Sequence, residues 1–582
     1  MNRPTSFLFV GLAACQGAAP AADTGACEVS AFYQDADGDG WGAGWLDPIE
    51  ACTAPEGYTE SRGDCEDGDP TVHPGATEVW YDGVDQDCDG WPDFDADGDG
   101  FDGPSEGGDD CDDGDAAVNP AARDDDDDGV DDDCDGTADN DLGLRDRAAA
   151  VVAAGDEGPF SVVEGAANLT GDGRPDLLLG APENDGKGLL VGCAYLLPGP
   201  IVGDEALAEA VATFTGIVEY DLFGSSLDAI GDRDGDGISE LAIGAPGADD
   251  GAEHGGAVAI FYGPHTGALG SWDADVTLLG TTGGASLGTA VAGGGDADGD
   301  GLPDLAVGGP GDGFSGLPGH VGLFFDLTRG HHDLDEAGLR IEGDADDELG
   351  AALTDLQDLD GDGLADLVVG APWAPTGAVY VFTGLRGGGA VLGTDGATAV
   401  LTRESSDDWA GAALDLPGDL DGDGYLDLAV GAPGARSGAA GIMGALHHGR
   451  VYAVRGPFSG SRRLRDADAV IEGDANVDVF WEGPGLGAGY AVSGGDLDGD
   501  GVLDLVLGAP AQCDSAGAVY ALFGPTEGRV DLAAGALRIL GTGEDRLGWS
   551  VDAGWDLRGD GVPDLVAVGL RADRAVLFDF GP

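Results

Sequence analysis

The segment Asp358–Leu367, DLDGDGLADL, places carboxylates at its first, third, fifth and ninth positions and glycines at its fourth and sixth. Four carboxylates held this close repel one another unless a cation joins them. Oxygen donors of this kind suit a hard ion such as calcium, which takes roughly six to eight of them. The glycines allow the tight turn that convergence requires. An EF-hand loop closes its ligand set at position twelve and sits between helices. Here the ninth residue closes the set and opens the apolar run Leu367, Val368, Val369, so the loop is expected to lead into a strand.

The same pattern recurs from Asp232, Asp296, Asp419 and Asp496, with weaker copies from Asn168 and Asp556. First positions are spaced by 64, 64, 62, 61, 77 and 60 residues, which marks a repeat architecture of seven units. The weaker copies carry Asn168 and Thr170 in one case and Arg558 in the other, where a guanidinium could replace a cation; weak or no metal is expected at both. Arg558-Gly559-Asp560 falls inside that last loop and reads as a coincidental tripeptide.

The chain has 582 residues, 112 acidic against 24 basic, for a net charge of −88. That balance excludes nucleic acid as a partner, since phosphate binding needs the opposite sign. Residues 1–14 carry Arg3 and a short apolar run and fit a secretory signal peptide. Leu12-Ala13-Ala14-Cys15 resembles a bacterial lipoprotein signal, which implies lipidation of Cys15, a tether over 15–26, and export to an outer membrane or cell surface. An ordinary signal and a secreted protein is the alternative. Membrane contact is expected through the lipid anchor only, because no run approaches the ~20 apolar residues of a span.

Residues 27–140 hold six cysteines and little aliphatic sequence, and are expected to be loop-rich and ordered by cross-links and bound calcium. Two stretches starting at Gly63 and Asp109 align, each with cysteines 23 apart. This symmetry suggests the pairs Cys65–Cys88, Cys111–Cys134 and Cys27–Cys52 among the 15 that six cysteines allow. A zinc site is the alternative, but close CxxC pairs are missing. Acidic glycine loops precede each half, with candidate ligands Asp35, Asp37 and Asp39, and Asp95, Asp97 and Asp99. The segment resembles cysteine- and aspartate-rich metal-binding repeats of bacterial surface proteins. Hard aspartate oxygens, with His73 as the segment's one imidazole, favour calcium over copper.

From residue 141 to 582 the pattern is all-β, with four short strands expected per ~60-residue unit, as in a propeller blade. The last unit ends in its third strand, Arg574–Phe580, and Arg147–Ala154 is expected to supply the missing fourth, closing a seven-bladed ring. The Phe-Gly or Leu-Gly step, the acidic loop and Gly-Ala-Pro together resemble FG-GAP repeats, the blades of integrin α-subunit propellers. The resemblance implies calcium ligands at Asp232, Asp234, Asp236 and Glu240; at Asp296, Asp298, Asp300 and Asp304; and at Asp358, Asp360, Asp362 and Asp366. It implies them also at Asp419, Asp421, Asp423 and Asp427, and at Asp496, Asp498, Asp500 and Asp504.

Antiparallel strands put the acidic loops on one face and the remaining connections on the other. Extra length in 434–448 and 474–487 brings His447, His448, Phe480 and Trp481 to that other face, a candidate site for an extracellular protein or glycan ligand. No nucleophile elbow, HExxH or phosphate loop is present, so no catalytic residues are expected. The leading expectation is a calcium-dependent surface adhesion or recognition protein and not an enzyme. The alternatives are a propeller-based extracellular enzyme or enzyme accessory, and a structural or cation-storing envelope component.

Overall fold

A computed structural model of the chain describes residues 29–77, scattered positions between 79 and 134, and 141–580 apart from short stretches, the longest being 437–447 and 474–486. The chain divides into two units, 1–122 and 123–582. Residues 123–140, between this division and the expected boundary after residue 140, lie outside the described residues except for Cys134. The expected signal and tether, with Cys15, lie outside them too, as do Cys27 and the loop at Asp95, Asp97 and Asp99.

In the first unit, Ser30–Gln34 pairs antiparallel with Ile49–Ala51 and with Tyr58–Thr59, and Gly42–Ala43 runs parallel to Arg62–Asp64. Phe32, Ala43, Val72 and Val118 are its buried apolar residues among those described, too few to order the segment by hydrophobic burial alone. A disulfide joins Cys65 to Cys88 with Cα atoms 5.6 Å apart, and Cys52, Cys111 and Cys134 are disulfide-bonded as well.

The second unit is all-β, and its described residues form seven five-stranded sheets. The sheet of the Asp358 loop is representative. Its first strand, Ala352–Leu353, leads into the loop, and the second, Leu367–Gly370, returns from it. Val379–Phe382 and Ala399–Thr402 follow as third and fourth, all antiparallel. The second and third strands are buried throughout, because each sheet is covered on both faces. Alternate side chains point to opposite neighbours. Leu367, Val369, Tyr380 and Phe382 pack against the preceding sheet with Val321, Leu323 and Ile341. Val368, Val379 and Val381 pack against the following one with Leu428, Val430 and Tyr452.

Each sheet also has a fifth strand, where four were expected. Gly460–Arg463, which belongs to the next repeat, runs parallel along the outer edge of Ala399–Thr402. Gly330–Asp333 does the same two sheets earlier, and Gly528–Asp531 one sheet later. These edge strands are short, polar and largely exposed, with sequences such as GHHD and GSRR, so they lack the apolar alternation by which a strand is read.

Two segments near residue 150 occupy the corresponding positions for the last repeat. Asp141–Gly143 runs parallel to Leu537–Leu540, and Ala148–Ala153 runs antiparallel to Arg574–Phe578. The last sheet then packs face to face on the first, with Val566, Val568 and Leu577 against Leu177, Leu179 and Tyr195 in one cluster that includes Ala150 and Val152. Val152 is fully buried there. Val152→Asp would place an unpaired carboxylate in that cluster, at a cost of several kcal/mol. Limited proteolysis is expected to cut the variant first within 141–160 and in the last sheet, while Val→Ile at the same position leaves the digestion pattern unchanged.

Candidate metal centres

Each acidic loop is held by its own carboxylates before any ion is considered. In the Asp358 loop, Asp358 accepts from the N–H groups of Gly361 at 2.7 Å and Gly363 at 2.9 Å, and Asp362 accepts from Leu364 at 2.9 Å. Gly361 and Gly363 have φ of 81° and 85°, a backbone region that side-chain-bearing residues seldom enter. The loops from Asp232, Asp296 and Asp419 repeat this pattern.

The ninth residue plays a different part. It is buried in all seven units, as Asp176, Glu240, Asp304, Asp366, Asp427, Asp504 and Asp564. One oxygen of Asp366 accepts from Leu359 N–H and the other from Gly384 N–H, both at 3.0 Å, tying the loop to the turn after the third strand. Asp427 makes the equivalent bonds to Leu420 and Gly456, and Asp504 to Leu497 and Gly524. Glu240 and Asp304 bind the loop backbone through one oxygen only. Their second oxygens, Oε1 and Oδ1, are buried without a partner. Burial pushes both carboxyls up to about 7, and that of Asp366 to about 6.

These loops fit a hard cation. Ligand oxygens of Asp232, Asp234 and Asp236, of Asp296, Asp298 and Asp300, of Asp358, Asp360 and Asp366, and of Asp419, Asp421 and Asp427 each lie within 4.8 Å of one another. Asp35, Asp37 and Asp39 in the first unit form another such group, with Oδ2 of Asp37 and of Asp39 buried and unpartnered. Asp496 Oδ1 is in the same state in the Asp496 loop. A cation among these oxygens would neutralise the cluster and satisfy atoms that no hydrogen bond reaches. The weaker copies are filled from within. Arg558 pairs with Asp560 at 2.6 Å and with Asp564 at 2.5 Å, and Asn168 accepts from Gly171 and Gly173 at 2.8 and 3.0 Å.

The candidate ligand site from the long loops is mostly beyond description, since His447, Phe480 and Trp481 lie outside the described residues. His448 is 4% exposed, which corrects its expected place on an open surface. The chain is pinned there, with Ala488 N–H donating to the His448 carbonyl at 2.8 Å and Gly473 N–H to that of Gly449 at 3.2 Å. A different aromatic pair stands at the end of the sheets opposite the acidic loops. Trp373, 51% exposed, follows a second strand, and Trp409 precedes a first strand, with ring centroids 5.7 Å apart. Their signal in the sequence was position, each in a connection on the far side from a loop, though 36 residues separate them.

Stacked sheets, each with a cation-ready acidic hairpin between its first two strands, define an all-β, propeller-type repeat protein. Residues 223–261, 354–382, 410–443 and 488–522 match the FG-GAP repeat, and residues 64–93 and 110–140 match the "Putative metal-binding motif". The chain thus carries FG-GAP repeats behind two copies of that motif. It is 39% identical to integrin alpha-5 of Xenopus laevis over 158 residues, 26% of this chain and 14% of that protein. It is 37% identical to integrin alpha-IIb of Homo sapiens over 147 residues, 24% of this chain and 14% of that one. To phosphatidylinositol-glycan-specific phospholipase D of Bos taurus it is 36% identical over 152 residues, 25% of this chain and 17% of the relative. The matches therefore span under a fifth of each of these relatives. Among the described residues, no helix is long and apolar enough to cross a membrane.

Two outcomes follow from the loops. Arg558→Asp restores a carboxylate at the third position and removes the internal cation, so tightly bound divalent ions, counted by atomic emission, should rise by one per chain; Asp360→Asn with Asp362→Asn should lower the count by one. The second concerns pH. Without ions, Glu240 and Asp304 hold protons more tightly folded than unfolded, so their contribution to stability is full below the ordinary carboxylate range and lost as pH rises through about 7. In chelator the melting temperature should fall between about pH 5 and about pH 7.5, and saturating calcium should abolish the fall.

Proposed function

We propose that this chain is an exported, calcium-dependent surface recognition protein whose second unit is a closed seven-bladed propeller. Seven five-stranded sheets, the pairing of Ala148–Ala153 with Arg574–Phe578, and the packing of the last sheet on the first support the ring. Tethering through Cys15 to an outer membrane or cell surface rests on the Leu12–Cys15 sequence. The observation that carries the functional reading is the separation of two features: oxygen clusters at one end of the sheets and, at the other, exposed Trp373 beside half-buried Trp409.

Calcium supplies charge neutralisation in the hairpins. Binding confined to the folded state adds RT ln(1 + [L]/Kd), ~1.4 kcal/mol per site at ten times Kd, so five independent loops would contribute several kcal/mol at extracellular calcium. The opposite face is then held rigid for a protein or glycan partner, and Trp373 offers a broad apolar ring for a sugar face or an apolar side chain. The net charge of −88 excludes nucleic acid from this role.

Incubating the full chain with glycan and cell-surface protein arrays, with calcium and with chelator, tests the reading. Capture that needs calcium and that Trp373→Ala weakens about tenfold, at an unchanged melting temperature, is the expected result. Turnover of an arrayed glycan or lipid-linked substrate would instead favour an enzyme, and neither capture nor turnover would leave a structural or cation-storing role.

A further inference from the structure

The first strands of the seven sheets touch in a closed sequence, each against the next and the last against the first. They enclose a cavity of about 600 Å³. Glu164, Asp228, Asp355, Asp415 and Asp552 line it, one from each of five sheets, and Ser493 contributes a hydroxyl from a sixth. No lysine, arginine or histidine lines the cavity among the described residues. In four units the carboxylate stands four residues before the first position of the acidic loop, as in Glu164 before Asn168 and Asp552 before Asp556.

The carboxylates are only partly satisfied by the protein. Asp552 accepts from Gly165 N–H and, at 3.4 Å, from the Ser493 hydroxyl, which itself accepts from Ala553 N–H at 3.0 Å. Asp228 is 7% exposed, and its Oδ2 is buried with no hydrogen-bond partner. A buried carboxylate oxygen left unpaired is costly, and five negative groups around one space multiply the cost. Burial first, and the neighbouring carboxylates second, raise Asp415 to about 8 and Asp552 to about 7; burial alone raises Asp355 to about 6, and Glu164 and Asp228 go up as well.

We infer that this cavity is a divalent-cation site distinct from the acidic loops, in which Asp228, Asp552 and the carboxylates beside them supply oxygens to a hard ion such as calcium or manganese. Protonation relieves the repulsion by turning carboxylates into O–H donors, but only below their raised pKa values; above them, a cation neutralises the group and gives Asp228 Oδ2 a partner. The donor set is oxygen only, which disfavours copper and zinc, and the space admits waters that complete the shell. Asp496, the first position of a neighbouring acidic loop, also lines the cavity. One ion would join sheets far apart in the sequence, a role that no single hairpin can fill.

The test is a crystal of the full chain grown with manganese, examined by anomalous diffraction at the manganese edge. A peak within coordination distance of Asp228 and Asp552 is expected, besides those at the loops. Peaks at the loops with none in the cavity overturn the inference and leave the loop reading standing, as does cavity density that is water alone or the side chain of a peptide. In solution, Asp228→Asn with Asp552→Asn should lower the count of tightly bound ions by one. The loop variant Asp360→Asn with Asp362→Asn should also lose one yet keep the cavity peak. A count unchanged in a folded Asp228→Asn, Asp552→Asn variant overturns the assignment; should that variant fail to fold, the wild-type crystal decides.

Discussion

The buried carboxylate at the ninth position of each acidic hairpin is the contact on which the other features of the second unit depend. It begins or immediately precedes the second strand, closes the loop through the N–H of the second or third residue, and in five units reaches a further donor. In Asp366, Asp427 and Asp504 that donor is the turn after the third strand. In Glu240 and Asp304 it is missing, and the free oxygen points the loop toward a cation instead. A group that would be expensive to bury alone is thus spent in holding three strands in register, and where it lacks a donor it becomes the strongest argument for an ion.

Packing between sheets follows from the same start point. Because the ninth residue fixes where the second strand begins, it also fixes which side chains face each neighbour; a slip of one residue would exchange Val368 with Val369 and their partners with them. The fifth strands then fasten each sheet to the next repeat along the outer edge, covering a row of backbone groups that would otherwise invite pairing with another chain. Local hairpins, face-to-face burial and edge exchange thereby impose one order on the sheets.

The charge of the chain has a comparable logic. Carboxylates in the hairpins are tolerated because they bind backbone N–H groups and are poised for ions, and Arg558 shows the same space met by a fixed guanidinium. The carboxylates of the innermost strands have fewer backbone donors, and no guanidinium lines their cavity among the described residues. Glu164, Asp228 and Asp415 come from separate repeats and meet only because the strands that carry them enclose one space.

How much was legible in advance divides along the range of the interactions. The hairpins, the strands that flank them and the likeness to FG-GAP repeats were written in local spacing, since a DxDGDG stretch meets its own backbone within nine residues wherever it occurs. Fifth strands such as GHHD were not, because an exposed edge strand needs no apolar alternation and its partner lies in another repeat. Nor was the burial of His448, the meeting of Trp373 with Trp409, or the enclosed carboxylates. Composition and period alone determined that this is an acidic, cation-prone β-repeat chain. Which side chains face solvent, one another or a shared cavity was decided only by tertiary packing, since those contacts join residues tens to hundreds of positions apart.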